Sequence, residues 1–381
     1  MSFSLTRRAA LGALAAAPLA AAARPALAAG EGVGVPTPSL NTLAARKGRR
    51  FGSCINAGRG GGILNPAYAA VVAGECGVIV PENEFKWQAT RPAPDTFDFR
   101  GMDAIVAWAQ AHKLAVRGHT LFWDRPERFP KWLTTYDFGA NPAREAERLL
   151  TTHIRTLTDR YRAAIHSYDV INEAVDAVTG VPRVNNVTRA LGGGEALVDI
   201  AFHTAREQLP QAQLVYNDFM SWDPGSGGHR AGVLRLLEGF RKRGTPVDAL
   251  GVQAHIDIVS LDPASGVGPY AETEWRRFLD EVAAMGYKLL ITEFDVKDKA
   301  LPGAIAMRDE RVADFARRYF DLMLDYDGLG DILAWGMVDK FSWLQGFSPR
   351  ADKREVRGTP YGDDFRPKPL RAVLARAFAA A

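Results

Sequence analysis

Two glutamates end apolar runs: Glu173 in "YDVINEAV" (168–175) and Glu293 in "LLITEFDV" (289–296). A pair of carboxylates flanking a cleft is the equipment for cutting a glycosidic bond. One, protonated, gives its proton to the departing oxygen; the other, ionised, attacks the anomeric carbon. Their surroundings must drive their pKa values apart. Asn172, beside Glu173, suits a hydrogen bond to the sugar 2-hydroxyl, which strengthens in the transition state. His255, in "LGVQAHI" (250–256), suits holding Glu293 in its ionised orientation. A strand-end salt bridge explains a lone glutamate as well as chemistry does; it does not explain the four residues together.

Other apolar runs end in polar groups too. In chain order they offer Asn56; Glu82, Asn83, Glu84 and Lys86; His119 and Trp123; Asn217 and Asp218; Gln253; Asp295; then Trp335, Asp339 and Trp343. Charges enter buried ground when they are paired or employed, so polar ends on nearly every run predict convergence on one site. Trp87, Trp123, Trp335 and Trp343 fit the same picture, because indole faces stack on sugar rings while the N–H still bonds hydroxyls.

The elements that must position these groups alternate. Short runs such as "CGVIVPENE", "QLVYND" and "KLLITEFD" are apolar almost throughout, as strands buried on both faces are. Between them lie segments of helical spacing. "NPAREAERLLTTHIRTLTDRY" offers Asn141 as N-cap, Pro142 at the first helical position, and Leu149, Leu150, Ile154 and Leu157 on one face. "DERVADFARRYFDLMLDY" repeats the pattern with Val312, Phe315, Tyr319 and Leu322. Eight strand–helix units over residues 46–381 predict an α/β chain folded as a single (β/α)8 TIM barrel. Its active face is the C-terminal end of the strands, where the fourth and seventh strands bring Glu173 and Glu293 across the mouth. An open doubly wound sheet would announce a phosphate loop; "GRGGG" (58–62) lacks that spacing and reads as a plain loop.

Totals set further bounds. With 47% hydrophobic and 24% charged residues among 381, the chain can fill a large core. A net charge of +3 without a basic, aromatic-interleaved stripe argues against nucleic acid. Cys54 and Cys76 match no metal motif; two buried free thiols or a disulfide are both open. Residues 1–28, with Arg7–Arg8 before an alanine-rich stretch and "ALAAG", predict a cleaved export signal of the twin-arginine type. It is too short and interrupted for a membrane span, so no membrane association is expected after its removal. Residues 29–45 read as a flexible mature N-terminus, and 46–381 as one catalytic domain with no linker inside it. The destination is periplasmic or extracellular.

Taken in order, the motifs resemble glycoside hydrolase family 10, the endo-β-1,4-xylanases. The resemblance rests on "VPENEFKW" (80–87), "RGHTLFW" (117–123), "YDVINEAV", "LVYNDF" (214–219), "LGVQAHI", "ITEFDV" (291–296), "WGMVDKFSWL" (335–344) and "RPKPL" (366–370). It implies a retaining hydrolase of xylan or xylo-oligosaccharides, monomeric, with no cofactor and no catalytic metal. Glu173 would be the acid/base and Glu293 the nucleophile. Glu82, Asn83, Lys86, His119 and Trp123 would bind sugars on the non-reducing side of the cut. Gln253 and His255 would support the nucleophile, and Trp335 and Trp343 would line the cleft. A close Trp343 would favour xylose, which lacks the 6-hydroxymethyl of glucose. The chain departs from the family after "HTLFW", where a His and then a Gln are usual and "DRPERFPKW" stands instead. There Asp124 is expected to bond a hydroxyl or pair with Arg125 or Arg128. That stretch keeps open a retaining hydrolase of β-glucan or mannan. A non-catalytic glycan-binding barrel is the alternative from another class; the presence of both glutamates speaks against it.

Overall fold

The computed structural model describes residues 34–260 and 268–380. Its strands are β1 (Phe51–Ile55), β2 (Val78–Pro81), β3 (Ala115–Trp123), β4 (Ile165–Asn172), β5 (Gln213–Asp218), β6 (Ala249–Val252), β7 (His255–Asp257), β8 (Lys288–Lys297) and β9 (Leu329–Ala334). All pair in parallel, each with its neighbour in sequence as far as β6. The β6–β8 and β9–β1 pairings then close the ring into an eight-stranded barrel. Every residue of β1 and β2 is buried, as the continuous apolar runs require when helices cover the outside and side chains fill the inside.

One expected strand is broken. The sixth run divides into β6 and β7 because Ala254 between them adopts φ 61°, a left-handed conformation that a residue with a Cβ adopts at a cost. The break leaves β7 paired only with β8, with His255 opposite Asp295. A one-residue kink thus turns His255 toward the neighbouring strand.

The two predicted helical faces are real. Leu149, Leu150, Ile154 and Leu157 are buried on helix Pro142–Tyr161, and Val312, Phe315, Tyr319 and Leu322 on helix Ile305–Met323. Pro142 opens the first of these; Asn141 precedes it, but its side chain makes no capping bond.

Of the flexible N-terminus expected over 29–45, residues 29–33 lie outside the described residues, and the part from Leu40 on is corrected. Leu40–Ala45 form a helix capped by Ser39, which accepts from the Thr42 N–H at 3.1 Å. Leu40 and Leu43 are buried in the main core. The Leu40 N–H donates to Glu75 Oε2 at 2.7 Å, and Arg371, near the chain's other end, donates to Glu75 Oε1 at 2.8 Å and to the carbonyl of Pro38 at 2.8 Å. Two leucines and a buried ion pair hold a segment whose prolines and threonines suggest a loose tail. The predicted export signal, residues 1–28, lies outside the described residues. Among the described residues no helix is long and apolar enough to cross a membrane. Cys54 and Cys76 are both buried free thiols.

Candidate active site

Glu293 stands on β8 with about one-twentieth of its surface exposed. Such a carboxylate needs donors, and it has them. Asn217, on β5, donates Nδ2–H to Oε1 at 2.7 Å. Asn217 has room to lean over β6 because Gly251 lies beneath it; a Cβ there would collide with Asn217 Oδ1. His255 Nε2 lies 3.3 Å from Oε2, and His119 Nδ1 is 3.9 Å from Oε1. Burial alone would raise the Glu293 pKa, but His119, the His255 hydrogen bond and charge, and Lys86 outweigh it and hold the carboxyl down at about 2.

His255 is itself buttressed. Its Nδ1 lies 2.9 Å from Asp295 Oδ1, and Trp343 donates its indole N–H to Asp295 Oδ2 at 2.6 Å. Burial pushes the imidazole down, yet Asp295 and Glu293 together bring it up to about 9. Both ring nitrogens therefore carry protons at neutral pH and donate to the two carboxylates. His119 has a parallel support: its Nδ1 meets Asp169 Oδ2 at 3.0 Å, and Arg117 grips Asp169 Oδ1 at 2.6 Å. That leaves Nε2 as the ring atom available to the cleft that His119 lines.

Glu173 follows the last residue of β4 with φ 60°. Strain of this kind collects where a side chain must point somewhere particular. Here the backbone is fixed from both sides: its N–H donates to the Asn217 carbonyl at 2.9 Å, and its carbonyl accepts from Arg183 Nε at 2.8 Å. Its Oε1 accepts from Gln253 Nε2 at 3.0 Å, while Arg125 Nη1 reaches Oε2 at 3.1 Å. Asn172 Oδ1 accepts from Asn217 at 3.0 Å and Gln253 at 3.2 Å. The opposite amide orientation would gain Trp123 Nε1 as a donor and the Asn217 carbonyl as an acceptor, each at 3.2 Å, but would turn N–H groups onto the Asn217 and Gln253 side-chain donors. One amide network therefore spans both glutamates.

A single cleft is lined by all twelve predicted site residues: Glu173, Glu293, Glu82, Asn83, Lys86, His119, Trp123, Asn172, Gln253, His255, Trp335 and Trp343. On the β2 side, Asn56 donates to Glu82 at 2.9 Å and Lys86 to Asn83 Oδ1 at 3.0 Å. The Lys86 ammonium lies 4.8 Å from the Trp123 ring centre, so that indole meets cations as well as open cleft.

Three expectations fail. Trp87 is a core residue, stacked on His153 at 4.2 Å between ring centres; it faces the protein because it begins a short helix after β2 rather than ending the strand. Asp124 does not line the cleft and pairs with neither Arg125 nor Arg128. It is wholly buried and accepts from Asn185 Nδ2 at 2.6 Å. Asp339 serves packing: it is buried in an ion pair with Lys368 at 2.7 Å. The buttresses escape sequence reasoning. Asp169 and Arg117 sit inside strands, where charges in an apolar run are the signal that marks them as site-supporting; Arg125 and Arg128 sit in the stretch that departs from the family.

Comparison with known proteins agrees with this geometry. The family model described as glycosyl hydrolase family 10 matches residues 39–377, so it takes in the N-terminal helix. "Endo-1,4-beta-xylanase B" of Thermotoga neapolitana is 28% identical over 302 residues, covering 79% of this chain and 80% of its own. "Endo-1,4-beta-xylanase B" of Paenibacillus barcinonensis is 30% identical, covering 72% and 81%. The crystal structure of xylanase 10B from Thermotoga petrophila RKU-1 in complex with xylobiose superposes with a TM-score of 0.79 at 27% identity, over 91% of this chain and 98% of that one.

Proposed function

This chain belongs to glycosyl hydrolase family 10, and from that premise we propose that it is an endo-β-1,4-xylanase working with retention of configuration. One observation carries the reading: Glu173 and Glu293 open into the same cleft and share the Asn172–Asn217–Gln253 amides. The names of its relatives support the substrate class, as does the xylobiose held by a neighbour of the same fold.

In the first step Glu293 Oε attacks the anomeric carbon while the glycosidic C–O bond breaks, and the departing oxygen takes the Glu173 proton. The product is a glycosyl ester on Glu293. In the second step a water gives its proton to Glu173 and its oxygen to the anomeric carbon, and the Glu293 carboxylate leaves. His255 and Asn217 keep Glu293 ionised and aimed. Asn172 faces the 2-hydroxyl. Arg125 holds Glu173 Oε2 in the free protein, so it must yield when Glu173 carries its proton. Trp343, fixed through Asp295, stands where a 6-hydroxymethyl would crowd.

The deciding experiment is proton NMR of the products formed by purified protein from β-1,4-xylan, β-glucan and mannan. Early β-configured xylo-oligosaccharides are expected. Products from glucan or mannan alone would overturn the substrate class; early α anomers would overturn retention; silence on all three would favour glycan binding without catalysis. The Arg7–Arg8 pair in the leader supports export by the twin-arginine route. Retention inside the cell of a double variant, Arg7→Lys with Arg8→Lys, against export of the natural sequence, would test it.

A further inference from the structure

Lys86, Arg125 and Arg128 all line the cleft, and Lys86 and Arg128 both lie against Trp123. Where the family's usual His and Gln are replaced, the segment after β3 makes one turn over Pro126–Arg128 and turns two guanidiniums into the cleft. Arg125 is committed to two carboxylates, Glu173 at 3.1 Å and, through Nε, Glu127 at 3.6 Å. Arg128 is different. It is exposed, and among the described residues its guanidinium has no carboxylate within ion-pair distance and no hydrogen bond; only its backbone N–H is bonded, to the Arg125 carbonyl. Its guanidinium carbon lies 4.9 Å from the Trp123 ring centre, while Lys86 lies 4.8 Å from the same ring. Burial pushes the Lys86 pKa down while the Glu293 and Glu82 carboxylates pull it back up; Arg128 adds a smaller downward push and has no such carboxylate of its own. Like charges gathered at one wall raise each other's energy unless an anion joins them.

We propose that Arg128, held against Trp123 and backed by Arg125, is a carboxylate-binding point that favours xylan carrying uronic acid branches. This rests on the xylanase reading above. A xylose backbone is neutral, whereas a uronic acid branch carries one carboxylate, the planar partner that a guanidinium fork grips through two parallel hydrogen bonds. The Trp123 ring fixes the guanidinium plane, so little side-chain freedom remains to be lost on binding. Lying on the wall of Lys86 and Trp123, the contact would read a branch on the non-reducing side of the cut.

The test compares two substrates: a uronic-acid-branched xylo-oligosaccharide and the same compound with its carboxyl reduced to the alcohol. The wild-type kcat/KM should favour the acid on the order of tenfold, and the preference should shrink at high salt. In Arg128→Ala the acid-to-alcohol ratio should collapse toward one. Arg128→Lys should keep part of it, because the charge remains and the fork does not. Taking a ratio within each variant removes any effect on folding or on neutral binding. Cleavage of both compounds with a wild-type ratio of one, or a ratio that Arg128→Ala leaves intact, would overturn this proposal alone. If neither compound nor unbranched xylan is cut, the xylanase reading falls and the proposal with it.

Discussion

Glu75 and Glu293 are both buried glutamates, and the regions around them are built to opposite ends. At Glu75 the helix Leu40–Ala45 and the last helix, Pro369–Ala380, meet. Arg371 and the Tyr361 hydroxyl bond Oε1, and the Leu40 N–H bonds Oε2, with Arg371 reaching it also. The carboxylate is enclosed by its partners and has no exposed surface. At Glu293 the partners approach from behind, Asn217 on one oxygen and His255 on the other, and the carboxylate lines a cleft. A carboxylate covered by its counter-charge has finished its work on folding. One kept ionised with a side left open is prepared for a reaction.

Exchanging either glutamate for alanine should separate the two regions. Glu293→Ala should lose about 10⁴-fold or more in kcat on every substrate, with a thermal midpoint near that of the natural protein. Glu75→Ala should do the reverse. It leaves Arg371 buried and unpaired, which costs about 3–5 kcal/mol of stability, while the protein still folded keeps its kcat/KM. Denaturant melts and rates measured on the same preparations read both quantities. Large activity losses in folded Glu75→Ala would dissolve the contrast.

The next largest effect lies between the two carboxylates of the mouth. Glu173→Ala should lose about 10³-fold on xylan, within the range for a general acid, but little in the first step on an aryl glycoside whose leaving group needs no proton. Equal losses on both substrates would mean that Glu173 does not act as the acid.

His255 sharpens the comparison through pH. Its pKa in the folded protein, about 9, lies above the value of about 6.5 for a free imidazole. A group raised in this way adds stability that is complete below pH ~6.5 and is lost as pH rises through about 9. The thermal midpoint of the natural protein should therefore fall faster across that window than that of His255→Gln, whose amide still bonds but does not titrate. Parallel curves would show that the imidazolium is not what braces Glu293.

The barrel was legible in the sequence because its determinants repeat: eight apolar runs, each followed by a helical segment. The convergence of the twelve residues on one cleft was legible because most of them end a strand or lie just beyond it, so sequence position stands in for place in space; His119 and Glu293 sit inside β3 and β8, and Trp343 lies well past β9. Contacts that cross between strands had no such marker. Asp169 answers His119 fifty residues earlier, and Arg371 answers Glu75 across nearly the whole chain. The helix Leu40–Ala45 escapes for the same reason, since its two buried leucines gain meaning only against partners at the other terminus. The Ala254 break was invisible because alanine gives no warning of a left-handed turn.

Asp124 is a third buried acid, and it fits neither type. It lacks the counter-ion of Glu75, and unlike Glu293 it is closed off. Asn185 satisfies one oxygen, while Oδ2 is buried without a partner. Burial pushes its pKa up to about 7, with the Asn185 bond and Arg183 pulling the other way. The slope with pH has the same sign as at His255, in a lower window. The unfolded chain ionises this carboxyl near pH ~4, whereas the folded protein keeps the proton to about 7. Stability is therefore lost as pH rises between those values, where the folded state binds more protons than the unfolded. Asp124→Asn keeps the shape and can still accept from Asn185, but has nothing to ionise. It should stabilise the protein by roughly 2 kcal/mol at pH 8 and by almost nothing at pH 4, since part of the full linkage is offset by relaxation around the charge. Loss of activity without that pH-dependent gain would mean that the Asp124 charge, set behind Asn172, serves the mouth after all.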